Sequence, residues 1–289
     1  VASVVSVSMT WTVSIILPAH NEADYIDACA RALLQSDPLP DGWRAQVIIV
    51  ANGCSDDTGA RASAHTSAAE ARGWEWRVIE LDQGSKPGAL NAGDTAAVGD
   101  VRVYLDADVL MSPALLPQLI AGLDRPEPAY GGGSPVVSRG HSWITRTYGR
   151  FWVTLPFVAQ GSPGFGVFAM NQAGRARWGD WSQIISDDTF ARLNFAPAER
   201  IRVEAAYHWP LVEGFRNLVR VRRRQNEGVA QIAKLYPELL CNDDNAPMGV
   251  SGLFQRMLRH PVGFLVYATV ALAVKTPLFR TTSDWVRGR

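Results

Sequence analysis

"VYLDADV", residues 103–109, ends an apolar run on two carboxylates, Asp106 and Asp108, one alanine apart. In a fully extended chain, side chains two apart share a face, so both would stand together at the end of a buried strand. Like charges held that close repel. Two readings of the stretch are open. A divalent cation, Mg2+ or Mn2+, would relieve the repulsion, because hard cations take oxygen ligands and share them with substrate phosphates. Alternatively the aspartates cap a turn into a helix that starts at Ser112, with Pro113 in its first position.

Upstream, strand-like runs at 12–18, 45–52, 76–81 and 101–108 alternate with helix-like stretches at 23–35, 57–72 and 87–98. Such alternation predicts an α/β fold, a mostly parallel sheet covered by helices on both faces. Ligands of these sheets sit beyond the carboxyl ends of the strands. The polar clusters fall there: "AHNE" after the first run, "NGCSDDT" after the second, "DAD" after the fourth.

The second half changes character. Residues 126–140 are rich in Pro and Gly, and 160–179 read as a loop with glycines at 161, 164 and 166 that let a backbone approach a ligand. "ISDDTFARLNF" (185–195), a strand within 199–210 and a helix over 211–228 follow, the helix placing Leu211, Phe215, Leu218 and Val219 on one face and its arginines on the other.

The 289 residues are 47% hydrophobic, with 28 Lys and Arg against 28 Asp and Glu, which suits one large domain or one domain with a small appendage and argues against a dedicated nucleic-acid binder. Cys29, Cys54 and Cys241 are odd in number and show no CxxC spacing, so neither a disulfide framework nor a zinc site is expected and a reducing compartment is the default. "VASVVSVSMTWTV" lacks a basic leader and reads as an extension ahead of the first strand. The uncharged run 262–274 is shorter than a bilayer span. Arg256, Arg259, His260 and Lys275 flank it, so membrane-surface contact through 256–279 and ordinary packing or a subunit interface are both open.

Taken in chain order, "SIILPAHNEADYI" (14–26), "IIVANGCSDDT" (48–58), "GSKPGALNAG" (84–93), "VYLDADV", the glycine loop before "SDD" and the arginine-rich helix ending at Gly228 resemble the family 2 glycosyltransferases of the GT-A fold. The resemblance covers residues 12–228 and implies inverting transfer of a sugar from a nucleoside diphosphate, UDP ahead of GDP, to a hydroxyl on a saccharide, a lipid-linked molecule or a small molecule. It divides the chain into a glycosyltransferase domain at 1–228, with a nucleotide half at 12–110 and an acceptor half at 111–228, and a helical extension at 229–289. The expected place is the cytoplasm, peripheral at the inner face of the membrane.

Carried over residue by residue, the resemblance makes Pro18, His20, Asn21 and Glu22 the first nucleotide loop, with Asn52 and Asp56 facing the base and supporting that loop. Ala51 and Asn52 stand where the family commonly has paired aspartates. Lys86 lies near base and phosphates, and Asn91 matches as a structural residue. Asp106 holds the ribose or a metal-bound water, Asp108 holds Mg2+ or Mn2+, and His208 is the candidate for a later metal ligand. In "SDD", Asp188 is the expected general base, with Asp187 orienting acceptor or base. Arg222 or Arg224 clamps the diphosphate. Processive members carry a QxxRW motif, and aligning on Gly228 puts Val221, Arg224 and Gln225 at its Q, R and W positions. That departure implies single transfers.

Two other readings compete. A sugar-phosphate nucleotidylyltransferase needs a glycine-rich loop with a basic residue after the first strand, which "LPAHNEADYI" lacks. A non-catalytic nucleotide-sugar binder or scaffold would have no use for Asp188.

Overall fold

The computed structural model describes residues 10–159, 161–244 and 249–277; the reading of residues 1–9 as an extension and the last two residues of the expected membrane-contact segment lie outside it. Its centre is one eight-stranded sheet: β1 (Trp11–Ala19), β2 (Trp43–Asn52), β3 (Glu75–Leu81), β4 (Val101–Leu105), β5 (Leu110–Met111), β6 (Tyr130–Val137), β7 (Val167–Asn171) and β8 (Arg200–Trp209). The order across the sheet is β3-β2-β1-β4-β7-β6-β8-β5. β1 to β4 are parallel, β7 runs antiparallel between β4 and β6, β6 and β8 are parallel, and β5 closes the edge antiparallel to β8.

The near-continuous apolar runs follow from burial on both faces. Val13, Ile15, Leu17, Val47 and Ile49 pack on one side with the helix Ile26–Leu34, whereas Ile16, Ile48 and Val50 pack on the other with Ala89 and Leu90 of the helix Lys86–Ala96. Each such fully buried Ile or Leu contributes about 1.5–3 kcal/mol relative to exposure. The expected α/β architecture is present.

Local departures have local causes. β4 ends at Leu105, so Asp106 and Asp108 occupy a turn beyond the strand: Asp106 N–H donates to Gly166 O (2.7 Å) and Val109 N–H donates back to Asp106 O (3.1 Å). Residues 110–111 then pair with β8, and Ser112 N–H donates to Ala206 O (3.0 Å), so the next helix starts at Leu115 instead of Ser112. The stretch 57–72 forms two short helices, Thr58–Ser63 and Thr66–Glu70, with His65 between them turned to Asp27 (2.9 Å). Two strands, β6 and β7, lie where the sequence suggested Pro/Gly-rich chain and loop.

The boundary expected at residue 228 falls inside a continuous helix, Phe215–Leu235. Beyond it, helices Val250–Arg259 and Pro261–Lys275 return to the body. Phe264, Tyr267 and Val270 pack against Tyr148 and Phe151 of the helix Trp143–Trp152. None of the described helices is long and apolar enough to cross a membrane.

Candidate active site

Where β1, β2 and β4 end, their loops are tied together by side chains. Asn52 is almost wholly buried; its amide donates to Ala19 O (2.7 Å) and accepts from Ser85 N–H (2.9 Å), joining three loops. His20 Nδ1 bonds Asn52 O at 2.6 Å. Asn21, left-handed at φ 51°, accepts from Ser55 N–H (2.6 Å) and its hydroxyl (3.1 Å). Asp56 accepts from Thr58 and from Ala23 N–H, while Glu22 N–H donates to Thr58 Oγ1 (2.7 Å). Asp56 and Asn52 both tie the first loop to its neighbours through these hydrogen bonds.

The Lys86–Ala96 helix starts beside these loops, Ser85 Oγ accepting from Gly88 N–H and Pro87 in its first turn. Its first residue reaches across the cleft: Lys86 Nζ lies 3.1 Å from Asp106 and 3.0 Å from Asp187. Burial alone would favour the neutral amine, but Asp106 and then Asp187 outweigh it, and the ammonium stays charged well above its usual range. One cation thus links the strand end of the first half to the acidic pair of the second.

Asp187 and Asp188 open the helix Asp187–Leu193. Burial first and repulsion from Asp187 next push the Asp188 carboxyl up to about 6, against the pull of Lys86. Pro18, Lys86, Asp106, Asp187, Asp188 and Arg224 line one cavity of about 170 Å3. Val221 and Gln225 line it too, so the positions aligned with the processive motif do face the cleft. Gly164 and Gly166 form its rim with φ of 75° and 68°, and a Cβ at Gly166 would meet Val109 at 2.5 Å.

Arg222 and His208 are not among the residues that line this cavity. Arg222 lines a second, neighbouring cavity. His208 is exposed on β8, in register with Leu110. No three His, Cys, Asp or Glu among the described residues are grouped to hold a metal ion. Asp106 and Asp108, two carboxylates on one turn, nevertheless suit Mg2+ or Mn2+, which is commonly held by one or two carboxylates with phosphate and water completing the shell. Asn91 is structural, exchanging two hydrogen bonds with the Trp181 backbone (3.1 and 2.7 Å).

The family model for Glycosyl transferase family 2 matches residues 14–197. The chain belongs to that family. Among curated relatives of this glycosyltransferase chain, an uncharacterized glycosyltransferase of Mycobacterium tuberculosis is 30% identical over 135 residues, 46% of this chain and 54% of the relative. The undecaprenyl-phosphate 4-deoxy-4-formamido-L-arabinose transferase of Klebsiella pneumoniae is 30% identical over 113 residues, 39% of this chain and 33% of that one. The glycosyltransferase chain thus matches about half the length of the first of these and a third of the second. Two solved structures share the fold: the mannosyltransferase PcManGT of Pyrobaculum calidifontis in complex with GDP-Man and Mn2+ (TM-score 0.57, 19% identity, 90% of this chain and 73% of that one), and S. aureus TarS 1–349 in complex with UDP (TM-score 0.51, 12% identity, 91% and 90%). The expected family and fold are both found.

Proposed function

We propose that the protein transfers a sugar, with inversion, from a nucleoside diphosphate sugar to a hydroxyl acceptor, one residue per encounter. The observation that carries the proposal is the Lys86 bridge between Asp106 and Asp187, with Asp188 alongside in the same cavity. Pro18 and Asp106 hold the nucleotide side, and Lys86 and Arg224 offer positive charge to the diphosphate. Mg2+ or Mn2+ at Asp106 and Asp108 would neutralise charge on the departing phosphate. Asp188, with its raised affinity for a proton, takes the acceptor hydroxyl's proton as the new C–O bond forms at the anomeric carbon. The bond to the diphosphate oxygen breaks, its electron pair leaving with the nucleotide. Asp187, held by Lys86, orients Asp188.

UDP stays ahead of GDP as donor base. The fold relatives named above include a complex with each nucleotide, which supports a test of both. A lone Arg224 in place of the processive motif supports single transfers.

Calorimetric titration with UDP and GDP, each with and without Mn2+, is the first test. One nucleotide should bind in a metal-dependent manner, and Asp108→Ala should abolish this. Asp188→Asn should keep nucleotide binding while lowering transfer by about 10²–10⁴-fold. A scaffold would lose nothing by that change.

A further inference from the structure

The second cavity adjoins the first and is far larger, about 570 Å3. The two share Phe165, Ser186, Asp188 and Gln225, so the proposed base stands in the wall between them. The apolar part of its lining comprises Trp152, Leu155, Phe157 and Tyr267, which belong to one hydrophobic cluster, together with Val229. The Trp152 ring packs edge-on to Phe157 at 5.6 Å and tilted to Phe165 at 5.2 Å, which fixes that wall. The charges in the chamber are unequal. Arg192 is neutralised by Asp243 (3.1 Å) and Asp244 (2.7 Å). Arg222 instead donates to the neutral Gln225 (3.2 Å) and joins no ion pair among the described residues.

We propose that this chamber is the acceptor site, and that its occupant is an amphiphile carrying an anionic group. The apolar body lies on the Trp152, Phe157, Val229 and Tyr267 wall, the anion meets Arg222, and the reacting hydroxyl faces Asp188. Burying an apolar body while pairing one charge is what such a chamber does at least cost. The inference rests on the donor and base assignment above, because it needs Asp188 to act on whatever enters from this side. It also separates Arg222 from the diphosphate clamp.

Octyl phosphate serves as the probe, with octyl glucoside as its uncharged counterpart and inorganic phosphate as the anion alone. In calorimetry on the full chain, octyl phosphate should bind at least tenfold more tightly than either. Val229→Glu, a change at a half-exposed position, should weaken it at least tenfold, as should Arg222→Gln, both with unchanged circular dichroism. Equal binding of octyl glucoside would remove the anionic requirement and overturn the proposal. So would octyl phosphate binding that Val229→Glu leaves intact, which would place the probe on the outer apolar face. Titration of the wild type with UDP and GDP separates the two levels. Nucleotide binding without octyl phosphate binding defeats the chamber assignment alone, while failure of both nucleotides defeats the donor reading and the acceptor role with it.

Discussion

Lys86 and Asp188 carry opposing demands. Because Asp188 must be ionised to accept a proton and its carboxyl is pushed up to about 6, transfer should fall as pH drops through about 6. Lys86 lowers that value from nearby, so Lys86→Met should move the acidic limb of the pH–rate profile upward, by about one unit on the scale of typical charge effects. The same change leaves Asp106 and Asp187 without their shared cation and should cost about 1–3 kcal/mol in urea unfolding, because Asp106 is partly open to solvent. An unchanged limb would mean that the bridge does not tune the base. At this scale Lys86, Asp106, Asp187 and Asp188 were legible in the sequence, since each follows a strand or opens a helix in a recognisable order. The partners of Asn52 were not, because its amide bonds Ala19 and Ser85 on loops that only the folded sheet brings together. Arg222 and Arg224 look equivalent in sequence, yet on a helix two residues are turned by about 200°. Val221 and Arg224 therefore face one cavity, while Arg222, Asn226 and Val229 face the other, with Gln225 lining both.

Among the elements, the helix Phe215–Leu235 sets the position of the acidic pair. At Gly228 an added Cβ would meet Ser186 Oγ at 2.1 Å and Ile185 at 3.1 Å, so the helix lies directly against the residue that precedes Asp187. Gly228→Ala should push that loop aside, at about 1–3 kcal/mol of overpacking, and lower transfer at least tenfold while UDP or GDP still binds; steady-state rates beside nucleotide titration check it. The glycine was read from sequence only as the helix end. The parallel half of the sheet was legible because doubly buried strands are continuous apolar runs. β6 was not, since "YGGGSPVV" has the composition of a turn. Its glycines are needed for packing: a Cβ at Gly133 would lie 2.6 Å from Leu115, and one at Gly131 3.2 Å from Leu119. β7 was hidden inside a glycine loop, though "VFAMN" is buried throughout.

Over the whole molecule, the last two described helices leave Phe254, Leu258, Val262, Leu265 and Leu272 exposed, with the exposed cations Arg259 and Lys275 among them. We propose that this face rests on an anionic bilayer, burying the apolar side chains while the cations meet headgroups. The protein should co-float with vesicles of mixed neutral and anionic lipid, and Leu258→Ser with Leu265→Ser should reduce the bound fraction severalfold; flotation unaffected by that pair would remove the assignment. The sequence had left this segment open between membrane and packing, and the helix Pro261–Lys275 packs one face on the body, with Gly263, Val270 and Ala273 buried. The edge pairing of β5 with β8 has a consequence in time. The turn bearing Asp106 and Asp108 is pinned on its far side by a strand synthesised long after it, and contacts so distant in the chain form slowly. During refolding, recovery of nucleotide affinity should therefore lag behind the far-ultraviolet signal of the parallel strands, making ligand capture a clock for the completion of the molecule.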